Sequence, residues 1–198
     1  MRATAFSSYL VAAEGRLRYC GVRFYAALMG LIQALGYEVP APSAVQRAMW
    51  HISSSGAGAW LFARSMHHVD GFVLRLSRGR ATLAGITAGI PVLTITTTGA
   101  RTGQRRTTPL LGVPFGSDIA IVSTRFGQPG TPGWYYNLCA RARAEVTYRG
   151  RTVTATAREA DDQEWQAIWA RARKIYAGYE AYARRITGRK VHIMILSA

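Results

Sequence analysis

The sequence contains a glycine-rich turn that is followed at once by several arginines. Thr98-Gly-Ala-Arg-Thr-Gly103 has two glycines, and Arg101, Arg105 and Arg106 lie within it or directly after it. Glycines allow close backbone approach and leave N–H groups exposed. Guanidinium groups bind carboxylates and phosphates through paired hydrogen bonds. The stretch therefore predicts an anion-binding turn, with a solvated β-turn as the alternative. It matches neither GxxxxGK[ST] nor GxGxxG.

Three tyrosines recur at three-residue spacing: Tyr176, Tyr179 and Tyr182. Asp161 and Glu164 resemble a capping box, which predicts a long helix from there to about residue 186. The tyrosines would form a slowly drifting stripe along this helix. An aromatic stripe usually packs into a core, but three buried hydroxyls would each need a hydrogen-bond partner. The stripe therefore fits poorly with core packing alone.

Strands dominate the part of the chain that carries these groups. β-branched runs, alternating patterns and glycine turns predict six strands. A short helix is expected at 134–140, between the third and fourth strands. Six strands in hairpins favour a small antiparallel barrel over a parallel βαβ sheet. The predicted strands are 91–98, 105–115, 119–124, 145–148, 151–157 and 191–196.

The first ninety residues have helical periodicity instead, at 11–36, 43–52 and 59–76. The predicted fold class is thus α+β, with a helical N-terminal extension at 1–58 and the barrel at 59–198. The apolar run 24–37 is shorter than the roughly 20 residues that span a bilayer, so it is read as a core or interfacial helix. Because the motifs all follow Ile90, residues 1–40 are expected to be peripheral to catalysis.

The composition points to an anionic partner. Twenty-five Lys and Arg against ten Asp and Glu give a formal net charge of +15, and almost all the cations are arginine. A polyanionic cofactor, a nucleic acid and an anionic membrane surface would all fit. Nucleic-acid binding is disfavoured because the arginines are spread along the chain rather than clustered with aromatics on one element. The four histidines lack partners at ligand spacing, so no metal site is expected.

Two motifs resemble those of the F420 (deazaflavin)-dependent nitroreductase family of oxidoreductases. They are Leu93-Thr-Ile-Thr-Thr-Thr-Gly-Ala-Arg-Thr-Gly-Gln-Arg-Arg-Thr-Thr-Pro-Leu110 and Pro132-Gly-Trp-Tyr-Tyr-Asn-Leu138. The tyrosine stripe follows at the family's position, and the resemblance extends from about Leu61 to the C-terminus. It implies a split β-barrel like that of FMN-binding proteins. It also implies the reduced cofactor F420 as hydride donor to a quinone, an enone or a nitro compound.

The resemblance also implies roles for individual residues. Arg101 would face the oligoglutamate tail of F420, and Arg106 with Thr108 would lie nearer its phosphate and ribityl chain. Thr124 and Arg125 match positions near the deazaflavin ring and phosphate. The tyrosines would line the acceptor side, with Tyr179 as the leading candidate for donating a hydrogen bond to the reacting oxygen. The full set of expected cofactor-binding residues is Arg101, Thr102, Arg106, Thr108, Thr124, Arg125, Gly133, Trp134 and Asn137.

One position departs from the family pattern. Leu111 stands where the best-known nitroreductases carry a tyrosine, so a differently shaped acceptor pocket is expected. Two other interpretations stay open at this point: an FMN-binding split-barrel oxidoreductase, and a non-catalytic basic module that binds nucleic acid or membrane. The expected location is the cytoplasm, with peripheral contact to the inner face of the membrane left open. The natural acceptor and the oligomeric state are not predicted.

Overall fold

Six antiparallel strands close into a barrel in the computed structural model, which describes residues 30–40 and 91–198. The strand order around the barrel is β1-β2-β3-β6-β5-β4, and β4 pairs back onto β1. The expected antiparallel barrel is therefore confirmed. The strands are β1 (Val92–Thr98), β2 (Arg105–Phe115), β3 (Asp118–Val122), β4 (Arg143–Tyr148), β5 (Arg151–Glu159) and β6 (Ile193–Ser197).

Side-chain alternation explains why β3 and β6 are apolar at nearly every position. Ile121 of β3 and Leu196 of β6 point into the barrel, where they join the main core. Their neighbours Val122 and Ile195 belong to a second apolar cluster on the outer face. Successive residues of a strand point to opposite faces, so a strand that is covered on both sides needs apolar residues throughout.

Besides the helical residues 30–35, three helices in the described part of the chain pack around the barrel: α1 (Gly133–Ala140), α2 (Asp162–Ile175) and α3 (Gly178–Arg185). A single 3₁₀ turn, Arg125–Gly127, follows β3. The predicted capping box is confirmed at the start of α2. The Asp161 side chain accepts from the Glu164 N–H at 2.8 Å, and Glu164 accepts from the Asp161 N–H at 3.1 Å.

The prediction of one helix from 161 to about 186 is wrong, because the helix ends at Ile175 and a second begins at Gly178. Tyr176 adopts an extended conformation with φ −146° and ψ 107°, which turns its ring onto Gly178. A Cβ at Gly178 would lie 2.3 Å from the Tyr176 ring. Only glycine therefore fits beneath the tyrosine, and the chain changes direction there.

Residues 30–40 pack onto the barrel through three buried side chains. Residues 30–35 are helical, and Leu31, Leu35 and Tyr37 are buried among the inward-facing strand residues. The Tyr37 hydroxyl donates a hydrogen bond shared between the carbonyls of Pro91 at 2.8 Å and Gly112 at 2.7 Å. The stretch 1–40 therefore contributes to the barrel core through its last eleven residues, and its peripheral role in catalysis stays a prediction.

The remaining helical predictions, at 43–52, 59–76 and most of 11–36, lie outside the described residues. The boundary at residue 58 lies there too, and stays a prediction. Within residues 30–40 and 91–198, no helix is long and apolar enough to cross a membrane.

Candidate functional site

The turn between β1 and β2, residues 99–106, is called the arginine turn below. Its backbone closes on itself: the Gly99 N–H donates to the Gln104 carbonyl and the Gly103 N–H donates to the Gly99 carbonyl, both at 2.8 Å. Gly99 has no room for a side chain, since a Cβ would lie 2.8 Å from the Thr102 Oγ1. Thr102 is exposed, and its hydroxyl accepts from the Gln104 N–H at 3.4 Å. The glycines thus produce a tight, fixed turn.

The side chain of Asn137 in α1 fixes this turn through two hydrogen bonds. Its Nδ2 donates to the Thr97 Oγ1 at 3.0 Å, and its Oδ1 accepts from the Ala100 N–H at 2.9 Å. The residue is only 7% exposed. Both polar ends of the amide are used, so Asn137 positions the arginine turn relative to α1.

The arginines of the turn differ in their surroundings. Arg105 forms a salt bridge with Glu145 of β4, and this bond lowers the pKa of the Glu145 carboxyl. Arg101 and Arg106 are exposed, and no carboxylate in the described part of the chain pairs with either. Thr108 lies half-buried further along β2. The turn therefore presents two exposed cations that no carboxylate within residues 30–40 and 91–198 neutralises.

The segment after β3, residues 123–128, is called the strand-end loop. Thr124 is buried and Arg125 is exposed. Arg125, Phe126 and Gly127 all have left-handed backbone angles, with φ of 47°, 56° and 76°. The Arg125 Nη1 donates to the Pro129 carbonyl at 2.9 Å, and none of the described carboxylates pairs with it. The loop thus presents a third exposed cation.

Gly133 and Trp134 begin α1 but occupy different environments. Gly133 is exposed, and nothing lies within 4 Å of where its Cβ would be. Trp134 is 4% exposed and packs into the barrel core with Leu138. The tryptophan thereby anchors α1, which in turn carries Asn137.

The three tyrosines form a buried group, called the tyrosine cluster below, on the outer face of β3 and β6. Tyr176 follows α2, whereas Tyr179 and Tyr182 belong to α3. All three are 4–5% exposed, and their rings pack edge-to-face or tilted at centroid distances of 5.9–6.4 Å. The tyrosines belong to the apolar cluster on the outer face, against which Leu111 of β2 also packs.

The hydroxyls of the tyrosine cluster are not equivalent. Those of Tyr176 and Tyr182 lie 3.0 Å apart and share a hydrogen bond. The Tyr179 hydroxyl has no hydrogen-bond partner among the described residues. Burial, and then the proximity of Tyr176, raises the pKa of Tyr179 and of Tyr182. Tyr179 and Tyr182 are therefore protonated phenols in an apolar setting, and the Tyr179 hydroxyl donates to none of the described residues.

The expected site residues fall into two groups in the structure. The first group is the arginine turn together with α1. The second group joins the strand-end loop to the tyrosine cluster, because the Phe126 ring meets the Tyr182 ring edge-on at 5.8 Å. A Cβ at Gly127 would lie 3.2 Å from the Tyr182 carbonyl, so loop and helix are in close contact. No hydrogen bond or ring contact within the described ranges joins the arginine turn to the tyrosines.

Sequence reasoning missed Arg189, whose guanidinium donates to the carbonyls of Ser123 and Thr124 at 2.9 and 3.0 Å. Its partners lie more than sixty residues away and are backbone atoms, so no motif or spacing could have indicated them.

This chain is similar to known proteins in both sequence and structure. The model of the F420H(2)-dependent quinone reductase family matches residues 72–198. An F420H(2)-dependent quinone reductase from Mycobacterium tuberculosis is 33% identical over 110 residues, which cover 54% of this chain and 73% of that protein.

Two solved structures are also similar. An F420-H2 dependent reductase is 32% identical with a TM-score of 0.49, covering 54% of this chain and 93% of that one. A structure described as a domain-swapped dimer is 30% identical with a TM-score of 0.50, covering 64% and 93%.

Proposed function

Since this chain belongs to the F420H(2)-dependent quinone reductase family, we propose that it transfers a hydride from reduced F420 to a quinone. The arginine turn carries this proposal. Arg101 and Arg106 are exposed without a carboxylate partner among the described residues, while their neighbour Arg105 is neutralised by Glu145. A fixed turn with two available guanidinium groups suits a ligand that carries several negative charges.

The residues present fit F420, which has a phosphodiester and an oligoglutamate tail. Arg101 and Arg106 would bind these anionic groups, with Thr102 and Thr108 as hydroxyl partners along the same turn and strand. Thr124 and Arg125 of the strand-end loop would bind nearer the ring, and Gly133 leaves open space at the start of α1. Asn137 and Trp134 would act through position, since their side chains are buried and already engaged.

The tyrosine cluster would serve the acceptor. Reduced F420, when bound, would be the source of the hydride, and negative charge would then develop on an oxygen of the acceptor. The Tyr179 hydroxyl has no partner among the described residues and is surrounded by apolar side chains, so it would donate to that oxygen. A hydrogen-bond donor in a water-poor site stabilises such charge more than it would in water. Tyr176 and Tyr182 would shape the acceptor pocket.

A quinone is the favoured acceptor, with enones and nitro compounds as weaker ones. Leu111 packs against the outer-face apolar cluster that includes the three tyrosines, and it stands at the position where the resembled nitroreductases have a tyrosine. A leucine offers apolar contact and no hydroxyl, which suits a flat quinone ring better than a polar nitroimidazole.

The test is to follow oxidation of F420H2 by the purified full chain against matched quinones, enones and nitroaromatics. FMN and its reduced form serve as the cofactor control. We expect turnover with F420H2 and the highest kcat/KM with quinones. Equal binding and turnover with FMN would replace the proposal by an FMN-dependent oxidoreductase. Binding of neither cofactor would leave the basic binding module as the better account.

We further propose that the protein acts in the cytoplasm and contacts the inner face of the membrane. The net charge of +15 supports attraction to an anionic surface, where apolar quinones dissolve. Cosedimentation with vesicles of phosphatidylglycerol, against pure phosphatidylcholine, tests this contact, with duplex DNA of equal charge as a competitor. Release by DNA alone would favour a nucleic-acid partner instead.

A further inference from the structure

The strand-end loop has an unfavourable backbone conformation. Three consecutive residues, Arg125, Phe126 and Gly127, have φ between 47° and 76°. Glycine tolerates this region freely, whereas a bulky side chain such as that of phenylalanine does not. Such conformations persist only where surrounding contacts hold them in place. A specific restraint on this loop is therefore expected.

Arg189 supplies that restraint. Its Nη1 donates to the Ser123 carbonyl at 2.9 Å. Its Nη2 donates to the Thr124 carbonyl at 3.0 Å and to the Gln128 carbonyl at 3.3 Å. Thr124 precedes the left-handed run and Gln128 follows it, so one guanidinium group ties together both ends of the run. The planar fork of arginine is suited to this task, and the single ammonium of lysine is not.

The surroundings of Arg189 disfavour the positive charge of its guanidinium group. Burial lowers its pKa, and the nearby charge of Arg125 lowers it further. No carboxylate in the described ranges pairs with it. Both of its terminal nitrogens are used on backbone carbonyls. The side chain is therefore committed to the loop rather than to a ligand.

The loop that Arg189 restrains carries two groups on which the proposed function depends. Arg125 is a proposed cofactor-binding residue, and Phe126 packs edge-on against Tyr182 of the tyrosine cluster. We infer that Arg189 is a positioning residue, which sets the strand-end loop for F420 on one side and for the tyrosine cluster on the other. This inference rests on the proposed function.

The strand itself has a separate anchor. The His192 N–H donates to the Ser123 Oγ at 2.7 Å, and the Ser123 N–H donates to the His192 carbonyl at 2.9 Å. These bonds do not involve the Arg189 side chain. Substituting Arg189 should therefore loosen residues 124–128 while leaving β3 and the barrel intact.

The test compares Arg189→Lys and Arg189→Ala with Arg184→Ala. Arg184 is an exposed arginine of α3 that makes no hydrogen bond or ion pair within the described part of the chain. Three quantities are measured: the F420 dissociation constant, amide exchange of residues 124–128 in the cofactor-free protein, and the thermal midpoint. We expect roughly tenfold to hundredfold weaker F420 binding and faster loop exchange in both Arg189 variants. Added guanidinium should partly restore F420 binding in Arg189→Ala. It should leave the F420 affinity of the control Arg184→Ala unchanged.

Unchanged F420 affinity and loop exchange in a folded Arg189 variant would overturn the inference. If Arg189→Ala fails to fold, Arg189→Lys decides: wild-type affinity and exchange there would make Arg189 merely structural. If the wild-type chain does not bind F420, the proposed function fails, and loop exchange alone still shows whether Arg189 restrains the loop.

Discussion

The arginine turn and the tyrosine cluster place their polar groups in opposite environments, one exposed and one buried. In the turn, polar groups are exposed, and the backbone and Asn137 hold them in place so that Arg101 and Arg106 keep free charges. In the cluster, polar groups are buried at 4–5% exposure, and burial raises the pKa of Tyr179 and of Tyr182. Exposed charge attracts a polyanion but is screened by water and salt. A buried neutral donor contributes little to binding affinity, but it strongly stabilises a negative charge that develops during the reaction. We propose from this contrast that the arginine turn binds the cofactor and that the tyrosine cluster serves the chemistry.

The largest expected effect is on the chemical side. Tyr179→Phe removes the one hydroxyl of the cluster that has no partner among the described residues. We expect turnover to fall by about 10²–10³, the usual cost of losing a transition-state donor, with the F420 dissociation constant nearly unchanged. Single-turnover oxidation of bound F420H2 by a quinone measures the rate, and a fluorescence titration measures the affinity.

Tyr176→Phe and Tyr182→Phe are the matched controls. Their hydroxyls bond to each other, so removing either should change mainly acceptor affinity and preference. If all three variants shift the thermal midpoint and leave the rate alone, the cluster is core packing only. Loss of F420 binding in Tyr179→Phe would instead place this residue in the cofactor site.

A smaller effect is expected on the binding side. Arg106→Ala should weaken F420 binding by about 1–3 kcal/mol, the range for a charge-assisted hydrogen bond. The loss should shrink with added salt, because the arginine is exposed. Titration of F420 at several salt concentrations measures both. The charge-neutral pair Arg105→Gln with Glu145→Gln is the control, since those two side chains already neutralise each other. Because this control leaves the net charge unchanged, an equal loss in it would mean that the conformation of the turn, and not the Arg106 charge, sets the affinity.

The smallest effect concerns the helix that supports the cluster. Arg158 and the capping box lower the pKa of Glu164 to about 2, against an ordinary value of 4.5. A lowered carboxyl pKa stabilises the fold above pH 4.5, and that contribution is lost as the pH falls toward 2. Arg158 is 55% exposed, so the contribution should stay below about 1 kcal/mol. Urea unfolding of wild type and Glu164→Gln between pH 7 and pH 2 measures it, and the difference should vanish at the acid end. Arg158→Gln should reduce the pH dependence of the free energy of unfolding between pH 4.5 and pH 2. A stability difference between wild type and Glu164→Gln that grows on acidification would contradict the account.

Local features of the sequence predicted much of this structure. The six strands follow from alternation and β-branched runs, and the capping box follows from Asp161 and Glu164. The motif resemblance predicted the family and its cofactor, and the family match confirms both. These features succeed because they depend on neighbouring residues.

Features set by distant contacts could not be predicted in the same way. The break between α2 and α3 depends on how the Tyr176 ring lies over Gly178, which periodicity does not encode. The hydrogen bonds of Asn137 to Thr97 and Ala100 reach about forty residues back along the chain, so the motif around Asn137 does not indicate them. The place of Leu31 and Leu35 in the barrel core likewise depends on tertiary packing. The roles of the individual site residues stay predictions.

A double-mutant cycle on Arg106→Ala and Tyr179→Phe tests the division of labour most directly. F420H2 affinity and the rate of hydride transfer to one quinone are measured in wild type, both single variants and the double variant. The account predicts that Arg106→Ala carries the whole affinity loss and Tyr179→Phe the whole rate loss. The coupling energy should then stay within about 0.5 kcal/mol, as for independent sites. A coupling well above about 1 kcal/mol, or an affinity loss in Tyr179→Phe alone, would contradict it.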